Sequence, residues 1–157
     1  MGCDIHCYIE YKNKDRDSWG HFGGRINPGR HYRIFGRIAG VRASGEFTQV
    51  APLRGFPADA GPESSSDNHL YISEVEAECC CTLADAEKWV AQGTSKWEDN
   101  KLFVSHPDWH SHTWLSADEF EKAIQDLGNE KYRAALAAMR SFEADGLDAR
   151  IVIWFDN

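Results

Sequence analysis

Long apolar runs are missing from this chain. No segment approaches the roughly 20 apolar residues that a membrane helix needs, so neither a membrane anchor nor a membrane partner is expected. Positive charge is in deficit: 17 Lys and Arg stand against 25 Asp and Glu, for a formal net charge of -8. Long nucleic acid is held through many Lys and Arg contacts to phosphate, so it is not an expected partner. Cysteine is sparse and awkwardly placed, with five residues at Cys3, Cys7 and the run Cys79-Cys80-Cys81. An odd count with three in a row is a poor disulfide framework. Neighbours in a strand point to opposite faces, so the run cannot bring all three thiols to one metal. The cysteines read as small buried apolar residues in a reducing compartment. The opening Met1-Gly2-Cys3-Asp4-Ile5-His6 has no basic stretch followed by an apolar one. A secretory leader is therefore not expected, and the sequence reads as cytoplasmic. Several signatures are also absent: GxxxxGKS/T, GxGxxG after a strand, HExxH, GxSxG and the paired motifs of two-histidine phosphoesterases.

What is present is the composition of an ordinary globular domain, 42% hydrophobic and 27% charged over 157 residues. That length suits one domain spanning 1–157, large enough to bury a core without staples. Charge is unevenly spread. Between Tyr11 and Arg54 nine Lys and Arg face three acids, a segment of +6 inside a remainder of -14. Such a chain can hold a small anion while repelling a long one.

Cys3 to Tyr11 alternates strictly, with Cys3, Ile5, Cys7 and Ile9 on one face and Asp4, His6, Tyr8 and Glu10 on the other. Period two predicts a half-buried strand. Arg150 to Phe155 reads as a fully buried strand, and the two ends of the chain are candidates to pair in one sheet. Helical spacing covers His31–Ala39, with Gly40 as stop, and Ala84–Gln92 behind a Thr82 cap and before Gly93. Ser116-Ala117-Asp118-Glu119 is a capping box for a helix ended by Gly128. A further helix is expected from Glu130 to Ala144. Leu70–Ala77 suggests another strand. Lys12–Arg30 and Arg42–Asn68, rich in Gly, Pro, Ser and Asn, read as long irregular loops. The expected fold is α+β: a single domain with a central sheet holding both terminal strands, three to four helices and long loops.

Four groupings carry chemistry. Asp4 and His6 share a strand face, where a carboxylate and an imidazole can share a divalent metal or act as base and orienter. His110 and His112 would face together on an extended segment in the same way. Opposed across a cleft, Asp4, His6, His110 and His112 would offer ligands suited to Zn, Mn or Mg, or a metal-free acid–base set. A polar strand face and surface histidines beside packed Trp109 and Trp114 are the plainer alternatives. Asp156, directly after the last strand, either completes such a site or belongs to a frayed end. Arg42 beside Gly40, and Arg54 beside Gly55, suit an anion approached by guanidinium and backbone N–H groups. Loop arginines pinned by acids are the alternative there.

Five ordered blocks span the chain: Met1-Gly2-Cys3-Asp4-Ile5-His6, Tyr32-Arg33-Ile34-Phe35 with Ala39-Gly40-Val41-Arg42, Arg54-Gly55-Phe56-Pro57, His110-Ser111-His112-Thr113-Trp114-Leu115, and Trp154-Phe155-Asp156-Asn157. In these the chain resembles a family of small, uncharacterised bacteriophage and prophage proteins. The resemblance implies a phage context, hence a host-cell cytoplasm, and by analogy an action on host metabolites or defence signals. Together these readings give an expected hydrolase for a small phosphorylated or nucleotide-derived molecule, a phosphodiesterase-like enzyme. Asp4, His6 and His110 would be catalytic, and Tyr32, Arg42, Arg54 and Trp114 would hold the ligand. The alternative is a protein that sequesters a small anionic nucleotide without turning it over. A monomer and a homo-oligomer are both compatible with the sequence.

Overall fold

The computed structural model describes residues 2–43 and 47–157. Alternation in the first strand and apolarity in the last have the consequence the sequence suggested. β1 (Asp4–Lys12) and β8 (Asp148–Asp156) pair antiparallel along their whole length, from Asp4 opposite Asp156 to Lys12 opposite Asp148. β2 (Gly20–His21) flanks β1, and β7 (His110–Ser116) flanks β8, giving a sheet in the order β2-β1-β8-β7. Its two central strands are joined by backbone bonds on both sides, so every alternate residue has a fixed face.

One face is covered by helices. Ile5, Cys7 and Ile9 from β1, with Ile151, Ile153 and Phe155 from β8, form a core with three helices. These are α1 (Tyr32–Ala39), α4 (Ala117–Ile124) and α5 (Glu130–Ala144). They contribute Ile34, Phe35, Phe120, Tyr132 and Met139, all fully buried. α1 ends at Gly40 in the left-handed region, where glycine carries no Cβ penalty. α4 opens with the expected capping box, Ser116 accepting from the Glu119 N–H and Glu119 accepting from the Ser116 N–H. α5 opens on Asn129, whose side chain accepts from two backbone N–H groups, a cap the sequence reading did not single out.

The stretch 42–68 is less irregular than expected. Residues 44–46 of it lie outside the described residues, but its end is α2 (Pro62–Asn68), with Pro62 at its first position. Its start is held by a carboxylate far away in sequence: Glu10 accepts from the Gly61 N–H at 2.7 Å and from the Ser64 hydroxyl. α2 leads into β3 (His69–Ile72), shorter than the expected strand and the middle of a second sheet. With β4 (Cys80–Cys81), β5 (Trp97–Glu98) and β6 (Phe103–Ser105) it gives the order β4-β3-β6-β5. Behind it, α3 (Leu83–Ala91), capped by Thr82, closes a small core of Leu70, Cys81, Ala86 and Val104. The architecture is α+β, with five helices and two four-stranded sheets among the described residues. No helix among them is long and apolar enough to cross a membrane.

Candidate functional site

The second face of the β1–β8 pair carries the alternate residues, and these are polar and aromatic. Trp154 lies fully buried at its centre. His6 on β1 stacks on it at 5.9 Å, and His112 on β7 stacks from the other side at 6.2 Å. Tyr8 completes the set at 5.7 Å. Trp109, in the turn before β7, leans over this row, 5.2 Å from Trp154 and 5.5 Å from His6. His106 in turn stacks on Trp109 at 4.5 Å. Three of the chain's seven histidines, His6, His106 and His112, gather here with Trp109 and Trp154.

Each imidazole is oriented by a different partner. His6 Nε2 meets Asp156 Oδ2 at 2.8 Å, while the other Asp156 oxygen accepts from the Asp4 N–H at 3.1 Å. His6 Nδ1 is buried without a hydrogen-bond partner. His112 Nε2 donates to Asn68 Oδ1 at 2.7 Å, so α2 sets the angle of that ring. Burial, with His110, His69 and Lys96 nearby, pushes the His112 pKa down to about 4. Burial also lowers the pKa values of His69 and His106. His69, His106 and His112 are therefore neutral imidazoles at neutral pH, each with one donor and one acceptor nitrogen.

Two cavities flank the His69–Trp109 pair, between the first sheet and the second. The larger, about 750 Å³, has Phe56, Asn68, His69, Lys96, Trp109 and His112 in its wall. The smaller, about 300 Å³, is bounded by Arg25, Asp67, His69, Cys79, His106 and Trp109. Asp67 there accepts from the Tyr8 hydroxyl at 3.0 Å and pairs loosely with Arg25 at 3.5 Å.

The residues singled out from sequence are not all brought together. Asp4 and His6 do share a face, but both Asp4 oxygens are taken by Arg30, at 2.7 and 2.9 Å, which lowers the Asp4 pKa. His110 and His112 do not face together. A bulge lies between His110 and Thr113, with Ser111 at φ 52°, and one extra residue turns the alternation over. His110 therefore stacks on Phe155, on the helix-covered side, while His112 stacks on Trp154. Among the described residues no three His, Cys, Asp or Glu side chains are arranged to hold a metal ion.

Arg54 is bound by both Glu119 oxygens, at 2.6 and 2.7 Å, and donates to the Trp114 carbonyl. Its guanidinium covers the Trp114 ring at 4.4 Å. That pairing pushes the Glu119 pKa down to about 2. It is the pinned-loop alternative, and it removes Arg54 and the Trp114 face from the cavities. Arg42 reaches Asn157 Oδ1 at 3.4 Å, and half-exposed Tyr32 stands edge-on to Phe35. Neither belongs to the wall of either cavity between the sheets. Sequence reasoning passed over Asn68 and His69, which α2 and the second sheet bring to His112, and Phe56, which the segment before α2 places edge-on to it at 6.0 Å. Cysteine divides as well: Cys3, Cys7 and Cys81 are buried as expected, but Cys79 is exposed and Cys80 half-exposed. Comparison with protein-family models, curated proteins and solved structures finds no match to this chain.

Proposed function

We propose that this protein captures a small nucleotide-derived molecule, holding its base in the larger cavity between the two sheets. The observation that carries the reading is the wall of that cavity: two aromatic planes, Trp109 and Phe56, beside the neutral edges of His69, His112 and Asn68. A volume near 750 Å³ suits a small organic ligand. Aromatic faces stack on a planar heterocycle, while imidazole and amide groups match donors and acceptors along its edge. Lys96 supplies a cation in the same wall for a phosphate. A histidine with its pKa near 4 is a weak base at neutral pH, which favours recognition over proton abstraction by His112. The resemblance to phage proteins makes a host nucleotide signal a natural ligand class.

Calorimetric titration against nucleosides, nucleoside monophosphates and cyclic dinucleotides tests this. Saturable binding is expected to one class, weakened about tenfold or more by Trp109→Ala and by His112→Ala, a loss of roughly 1.4 kcal/mol each. The bound compound should return unchanged after heat denaturation. Equal affinity in both variants and the parent would remove the cavity from the reading.

A second reading, hydrolysis, is favoured by one observation: Asp156 orients His6 at 2.8 Å and leaves Nδ1 without a partner beneath Trp109. In that case Nδ1 is the general base, and Trp109 moves aside for substrate. Product appearing with the parent chain but not with His6→Ala or Asp156→Asn separates hydrolysis from capture.

A further inference from the structure

The exposed end of the cysteine run has chemistry that neither reading uses. Cys79 occupies the turn before β4, and its Sγ lies 3.4 Å from that of Cys80. Cys79 also forms part of the smaller cavity, beside His69, His106 and Trp109. Cys81 points away into the small core and is buried. Two neighbouring thiols thus lie in sulfur contact, and the solvent-exposed one, Cys79, is on the wall of the smaller cavity.

We propose that Cys79 and Cys80 form a reversible redox pair, closing to a disulfide between adjacent residues and reshaping the smaller cavity. The oxidant is a small-molecule disulfide of the glutathione type. The Cys79 thiolate attacks one sulfur of that oxidant, the oxidant's S–S bond breaks, and one small thiol leaves. The Cys80 thiol then gives up its proton, and its sulfur attacks Cys79 Sγ and displaces the second small thiol. The protein loses two hydrogens and the oxidant becomes two thiols. Cys79 makes the first attack because it is the exposed member, whereas its hydrogen bond raises the Cys80 pKa.

Adjacency sets the character of the bond. Neighbouring Cα atoms are about 3.8 Å apart, whereas disulfides usually span about 4.4–6.8 Å, so this ring is strained. Strained, exposed disulfides are readily reduced and belong to the labile class. The strain falls on backbone that holds the second sheet. The Cys79 carbonyl accepts from the Tyr71 N–H at 2.8 Å, and Cys80 N–H donates to Ala77 at 2.9 Å. Tyr71 is two residues from His69, the side chain shared by both cavities.

The inference goes beyond the ligand proposal, and its test uses no ligand, so the two fail separately. The full chain is equilibrated in oxidised glutathione and followed by intact mass, peptide mapping and imidazole NMR. Loss of two hydrogen masses is expected, mapped to a Cys79–Cys80 link and reversed by dithiothreitol, with shifts in the His69 and His106 resonances. Cys81→Ala should behave as the parent does, while Cys80→Ser should stop at a glutathione adduct on Cys79. A parent chain that keeps both thiols alkylatable, accumulates only the adduct or links Cys81 instead would overturn the proposal. Closure without movement of the two imidazole signals would overturn its link to the cavity.

Discussion

On the helix-covered face of the β1–β8 pair, Ile5, Cys7 and Ile9 meet Ile151, Ile153 and Phe155, and three helices seal them in. On the opposite face the same two strands present Asp4, His6, Tyr8 and Glu10 against Asp156, Trp154, Val152 and Arg150. The first face is stabilised by removing apolar area from water, a term that depends little on the identity of the neighbour. The second depends on partners. Arg150 and Glu10 are buried together at 2.7 Å, and the guanidinium also holds Asp59 at 2.8 Å and lies on Trp19 at 3.9 Å. Burial works against the Asp59 carboxylate, but hydrogen bonds from Arg150 and Trp19 outweigh it and lower its pKa. One face makes the fold; the other fixes the loops that enclose the cavities, because Glu10, Asp59 and Asn68 each tie a loop or α2 to the sheet.

The contrast breaks hardest at Arg150. Replacing it by Ala leaves Glu10 charged and buried with only the Gly61 and Ser64 donors, and should cost about 3–5 kcal/mol. Urea midpoints measure this. The double variant Glu10→Gln/Arg150→Met should recover much of the loss, since no unpaired charge stays buried. A single Arg150→Ala variant within about 1 kcal/mol of the parent would mean that water reaches Glu10 and that the polar face is not organised by this pair.

Much of the sheet was legible in the residues, and less of the site. Period two in Cys3–Tyr11 fixes which residues share a face, so the Asp4–His6 juxtaposition follows from local pattern alone. Caps at Thr82 and Ser116 and the stop at Gly40 are likewise local signals, and the helices stand where those signals put them. His6 and Asp156 are 150 positions apart, and their meeting depends on a strand register that no local rule supplies. The bulge at Ser111 is harder still. Serine gives no warning of a positive φ, yet that one residue sends His110 and His112 to opposite faces. The strands of the second sheet are two to four residues long, defined by pairing rather than by periodicity, so beyond the strand expected from Leu70 the far wall of the cavity was not legible.

Acid separates the two faces without mutation. His112 titrates near 4 in the folded chain against 6.5 when unperturbed, and burial shifts His69 and His106 in the same direction. Above about pH 6.5 these imidazoles are neutral in both states and the stability is fully present. As pH falls through 6.5 the unfolded chain takes up protons that the folded chain refuses, so stability declines until about pH 4, where His112 charges in the folded state too. For His112 alone the limiting loss is on the order of 3 kcal/mol. Glu119, lowered by its Arg54 pair, acts in a separate window: its contribution is present above about 4.5 and lost as pH falls toward 2. Denaturant midpoints at about pH 7.5 and about pH 5 therefore isolate the histidines. His112→Gln, which keeps a donor for Asn68, should shrink the difference between them; an unchanged difference would place the acid sensitivity elsewhere.

The smallest effect is expected on the face that looks most important for folding. Ile153 is fully buried on β8, in the core that Phe35, Phe120 and Met139 complete. Ile153→Val removes one methylene, and such a change costs about 1 kcal/mol, the lost transfer energy plus a small void. No polar atom is left without a partner, and the alternate residues Val152 and Trp154 keep their register because the backbone ladder to β1 is unchanged. The urea midpoint should fall slightly, while the imidazole signals of His6 and His112, on the far side of the strand, should stay in place. If those signals move, the two faces are mechanically coupled through Trp154, and a loss of core packing would be felt in the cavity as well.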